Sequence, residues 1–94
     1  MTEDHLSALL GLAEAKKDNK GWHNTAEGRH ITFYVGHEGG TLTIGRVEAI
    51  KRDGDLAVLR TVKGETFVVA LVDAFAGHVD AAPKQARKAG FVSG

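Results

Sequence analysis

The run T-L-T-I-G-R-V-E-A-I, residues 41–50, decides the fold. Leu42 and Ile44 share one phase of a two-residue alternation, Val47 and Ala49 share the opposite phase, and the change falls near Gly45. A strand keeps its faces only while that count stays in step. A one-residue slip at a glycine therefore predicts a bulge or sharp bend. A strand bent in this way turns a corner and serves both sides of a small barrel. A straight, uninterrupted strand from Leu42 to Ile50 would instead predict an open, flat sheet.

The flanking segments agree with strands. H-I-T-F-Y-V (30–35) places Ile31, Phe33 and Val35 on one face and Thr32 and Tyr34 on the other, and G-H-E-G-G (36–40) supplies a turn before the bent strand. After it, Asp53 and Gly54 in K-R-D-G-D tolerate positive φ and mark a hairpin. L-A-V-L-R-T-V (56–62), a turn centred on Lys63 and Gly64, and T-F-V-V-A-L-V (66–72) complete an antiparallel meander with strands at about 30–35, 41–50, 56–62 and 66–72. Leu56 to Leu59 and Phe67 to Val72 are apolar in both phases, which predicts that both faces of the sheet are covered there. The cover is either the N-terminal helix or a second copy of the chain. D-A-F-A-G-H-V-D-A-A (73–82) suggests one short helical turn and then an extended piece, with Phe75 and Val79 closing the open end of the core.

A helix is expected over residues 3–17. Thr2 can cap it, Glu3 and Asp4 favour its first turn, and Lys16 and Lys17 favour its end. Leu6, Leu9, Leu10 and Ala13 form one apolar stripe, with Leu12 beside it. Gly11 costs the helix about 1 kcal/mol relative to alanine, a cost explained if the missing side chain permits a close approach. Residues 18–29, with the only tryptophan, read as a polar connection of about twelve residues.

One helix followed by a bent antiparallel meander of four or five strands is similar in topology to the small barrels of the Sm-like and SH3-like kind, over residues 3 to about 79. The fold class expected is therefore α+β, mainly β. The alternative is a helix laid on an open four-stranded antiparallel sheet. The barrel resemblance implies either RNA-binding rings or peptide-binding modules, and fold analogy does not choose between them.

Ninety-four residues and 10.0 kDa suffice for one domain, placed at residues 1–80, with a basic, partly ordered tail at 81–94. The formal net charge of zero conceals an asymmetry. Up to Asp80 there are nine basic and twelve acidic residues, a formal −3, whereas the remainder carries three basic residues and no acidic one. The absence of cysteine excludes disulfides, thiolate metal sites and cysteine nucleophiles. The acidic N-terminus is unlike an export signal, and the apolar run from Phe67 is far shorter than the ~20 residues that span a bilayer, so no membrane association and a cytoplasmic location are expected.

No catalytic group is expected. The serines at 7 and 93 sit in no nucleophile elbow, Asp53 and Asp55 flank a hairpin glycine, and no phosphate-binding glycine fingerprint occurs. His23, His30 and His37 recur every seven residues, a spacing that aims no two imidazoles together, so neither a metal nor a cofactor is expected. The function expected is a non-enzymatic protein interaction or assembly module, adaptor-like and homo-oligomeric, using Leu6, Leu9, Leu10 and Ala13 or Phe67 and Val69 as its contact surface. The alternative is single-stranded nucleic-acid (RNA) binding, with Arg46, Arg52, Arg60, Lys84, Arg87 and Lys88 as phosphate contacts and Trp22, Phe33 and Tyr34 as stacking rings.

Overall fold

The computed structural model describes residues 1–81. A single helix, α1 (Glu3–Leu12), precedes two short strands, β1 (Lys16–Lys17) and β2 (His23–Asn24). The meander follows as β3 (Arg29–His37), β4 (Gly40–Asp53), β5 (Leu56–Thr61) and β6 (Thr66–Ala70). A 3-10 turn (Leu71–Asp73) then leads into β7 (Ala74–Ala81). The domain is mainly β, and its curled antiparallel sheet forms a half-barrel.

The bend in β4 occurs where the phase change predicts it. Ile44 pairs with Phe33 and Val47 with Ile31, so Gly45 and Arg46 together face the single residue Thr32. The left-handed conformation of this bulge is carried by Arg46 (φ 58°) rather than by the glycine. A second register shift places Glu48 between the pairs Val47–Thr61 and Ala49–Arg60. Through these two irregularities β4 holds β3 with its first half and β5 with its second, while β2 joins it at Ala49 and Ile50.

Three tight turns set the register of the meander. Glu38 (φ 50°) and Gly39 (φ 84°) form the two-residue turn between β3 and β4, the geometry that matches strand twist when both φ values are positive. Gly54 (φ 60°) and Asp55 link β4 to β5, one residue further along than the expected Asp53–Gly54 centre. Thr61 and Glu65 close the third turn, with Gly64 (φ 84°) supplying its left-handed residue.

Two boundaries depart from expectation. α1 stops at Leu12 instead of reaching Lys17, because Glu14 adopts φ 51°. The amides of Glu14 and Ala15 then donate back to the carbonyls of Gly11 and Leu10, which closes the helix end. The cause is tertiary: Arg29 donates to the Leu12 carbonyl (3.1 Å) and pairs with Glu14 (3.4 Å), while the Ala26 amide donates to Ala13. Lys16 and Lys17 consequently pair as β1 with β2, inside the segment expected to be helix and connection. The last meander strand ends at Ala70 rather than Val72. The 3-10 turn and extended piece expected after it appear as Leu71–Asp73 and β7, which docks antiparallel along β3 as a full strand.

The concave side of the sheet and α1 enclose the core. Leu6, Leu9 and Ala13 meet Ile31, Phe33, Ile44, Val47, Ile50, Ala57, Leu59 and Leu71. The close approach of helix to sheet occurs at Gly77, where an added Cβ would lie 2.7 Å from Leu9 Cδ1. Gly11, expected to serve that purpose, has nothing within 4 Å of the corresponding position.

Candidate functional site

Antiparallel pairing sorts the β5–β6 hairpin into two faces. Ala57, Leu59 and Thr61 are buried on the concave side, where Val69 and Phe67 stand opposite Ala57 and Leu59 and remain half-buried. The convex side carries Leu56 opposite Ala70 and Val58 opposite Val68. Leu56 is 42% and Val68 60% exposed, so among the described residues no element covers this part of the sheet. The expectation that both faces are covered thus holds only for the concave one. α1 lies on the concave side; on the convex side, among the described residues, Leu56 and Val68 are exposed and Val58 and Ala70 are half-buried.

Trp22 borders this surface. Lys51 pairs with Val58 and Ala49 with Arg60, which places both cations on the convex side. The Arg60 guanidinium lies 5.0 Å and the Lys51 ammonium 5.9 Å from the Trp22 ring centre, within cation–π reach. The loop before Trp22 is organised by Asp18, whose carboxylate accepts from the amides of Lys20 (2.8 Å) and Trp22 (3.0 Å) and from the Asn24 side chain (3.1 Å). The Lys20 amide, with help from Asn24 and the Trp22 amide, lowers the Asp18 pKa below its ordinary value. Sequence patterning missed this arrangement because a long-range contact with β4 and β5 positions a loop residue.

Leu6 (4% exposed), Leu9 (7%) and Ala13 (0%) are consumed by the core and present no contact surface. Leu10 is partly buried against that core. The exposed large apolar side chains on the helix side are instead Leu12 and Phe75, which line an apolar groove of about 250 Å³ between α1 and β7. Phe75 is the extra residue at a register shift between Tyr34–Ala76 and Val35–Ala74, which turns its ring out of the core it was expected to close.

The candidate phosphate-binding arginines do not gather on one surface. Arg52 pairs with Ala57 on the concave phase, bonds the Gly54 carbonyl and meets Glu3 at 3.5 Å. Arg60 lies on the convex phase, 3.7 Å from Glu48. Arg46 sits at the β4 bulge, beside a groove of about 260 Å³ between the first half of β4 and the start of β6. Lys84, Arg87 and Lys88 lie outside the described residues.

His30 and His37 lie at opposite ends of β3, whereas His23 is in β2. Among the described residues no three histidine, aspartate or glutamate side chains form a group able to hold a metal ion. His37 instead clasps the 3-10 turn. Its Nδ1 lies 3.1 Å from Asp73 and its Nε2 3.0 Å from Glu38, and the bond to Asp73 raises its pKa above the ordinary value. Tyr34 Oη bonds His78 Nδ1 (3.0 Å), whose Nε2 lies 3.3 Å from Asp80, tying the convex faces of β3 and β7 together. No helix of the described residues is long and apolar enough to cross a membrane. Compared with protein-family models, curated proteins and solved structures, the chain matches none of them.

Proposed function

We propose that this chain is a non-enzymatic assembly module of the small-barrel kind, similar in topology to Sm-like and SH3-like barrels, that associates with further copies of itself through the β5–β6 hairpin. The observation that carries this reading is the convex apolar surface formed by exposed Leu56 and Val68 with half-buried Val58 and Ala70, which no other element covers among the described residues. Burying such a surface contributes about 25 cal/mol per Å² of apolar area, which favours a partner over water. The bent β3–β6 meander supports the small-barrel likeness. Size-exclusion chromatography with light scattering tests the reading: a mass above that of one chain is expected at micromolar concentration, and a clean monomer overturns it.

A second reading rests on Trp22, where an aromatic ring, Lys51 and Arg60 meet on one side of the sheet. This group favours stacking on single-stranded RNA with adjacent phosphate contacts. That reading predicts salt-sensitive RNA binding lost in Trp22→Ala, and no binding at low salt disposes of it.

A further inference from the structure

Among the described residues the sheet has several open edges, and they differ in how they are guarded. β1 is two residues long and consists of lysines. The outer edge of β7 carries the His78–Asp80 pair and the Phe75 register shift. Short length, charge and irregularity are the devices by which edge strands resist pairing with other chains. β6 has none of the last two: Thr66–Ala70 reads T-F-V-V-A, with no charged residue, no proline and no register shift against β5.

The hydrogen-bond phase of β6 specifies what its edge offers. The Thr61 amide donates to the Glu65 carbonyl (2.9 Å), and the Leu71 amide to the Asp55 carbonyl (2.8 Å). These bonds fix the alternation along the hairpin, so Phe67 and Val69 direct their N–H and C=O groups toward β5. Thr66, Val68 and Ala70 direct theirs outward, and among the described residues no strand takes them up.

We infer that β6 pairs antiparallel with β6 of a second copy about a two-fold axis at Val68, joining two half-barrels into one continuous sheet. The inference rests on the proposed self-association and places it at the edge of the β5–β6 hairpin rather than on its convex face. In this register Val68 faces its own symmetry mate, and Thr66 faces Ala70 of the other copy, so the three outward-facing residues of each strand exchange about six backbone hydrogen bonds. Phe67 of one copy then stands opposite Val69 of the other. Both side chains are half-buried against the core, and in this pairing each adds to the other's cover. A strand paired with itself in this register opposes Val with Val, Thr with Ala and Phe with Val. It brings no like charges together, and the edge offers no charge by which a different partner would be selected.

The test combines light-scattering mass with amide hydrogen exchange on the intact chain and on three single variants, Val68→Lys, Thr66→Lys and Leu12→Lys. All three positions are exposed, so folding of each variant is checkable by circular dichroism without a core penalty. A dimeric wild type is expected, with slowly exchanging Thr66, Val68 and Ala70 amides. Both β6 variants should fall to half that mass and lose protection at those amides, because a lysine at either position places a cation in the paired edge, while Leu12→Lys should remain dimeric. Persistence of the dimer in both β6 variants overturns the edge pairing and leaves self-association standing on another surface. A dimer whose Thr66, Val68 and Ala70 amides exchange freely also overturns the edge pairing, since contact then runs through side chains alone. A monomeric wild type overturns both the pairing and the self-association on which it rests.

Discussion

At the scale of single residues, two glycines exchange the roles that their neighbourhoods suggest. Gly77 is the position where the helix comes closest to the sheet, and Gly77→Ala would press a methyl group against Leu9 and the Thr32 carbonyl. Overpacking of this kind costs about 1–3 kcal/mol, read as a lowered urea midpoint with an unchanged slope. Gly11 meets nothing among the described residues, so Gly11→Ala should stabilise the domain by about 1 kcal/mol. Backbone strain gives a third expectation. Glu14 and Arg46 hold left-handed φ values that cost an L side chain roughly 1 kcal/mol each. Glu14→Gly removes that strain but also the ion pair to Arg29, so Arg46→Gly is the cleaner variant and should raise the urea midpoint.

At the scale of elements, the contact between the β3–β4 turn and the 3-10 turn depends on pH. The hydrogen bond to Asp73 and, less strongly, the one to Glu38 favour the protonated form of His37, so its folded pKa lies above its unfolded one. A raised histidine pKa stabilises the fold fully below the unfolded value, about 6.5, and that contribution disappears as pH rises through the folded value. An NMR titration of the His37 ring should show a midpoint above the ordinary histidine value, and Asp73→Asn should return it toward that value. The strands were largely legible in the sequence because alternation and turn chemistry are local: the phase change at Gly45, the two-residue turns and the apolar pattern of β5 and β6 all lie within short windows. The end of α1 was not. Nothing between Leu12 and Lys17 announces a stop, since the groups that impose it, Arg29 and Ala26, arrive from β3 and the loop before it. Leu6 and Leu9 were recognisable as one stripe, but whether the stripe faces its own sheet or another chain depends on that same tertiary arrangement. The double-phase apolarity of Leu56–Leu59 and Phe67–Val72 was the signal for the convex surface, and it named covered strands without naming the cover.

At the scale of the whole molecule, a half-barrel that finishes its sheet through a second copy should show stability tied to concentration. The melting temperature of the wild type should rise with protein concentration, whereas that of Val68→Lys should stay constant. The order in which the chain can assemble follows from the pairing of β7. β3 through β6 form successive hairpins whose partners are close in sequence, but β7 returns to β3 from roughly 40 to 50 residues away. During synthesis the hairpins therefore emerge and close first, while β3 waits with one edge bare until residues 74–81 have left the ribosome. A meander without β7 would present an unpaired edge at β3 as well as at β6, so the docking of β7 closes one of the two edges that the described strands would otherwise offer.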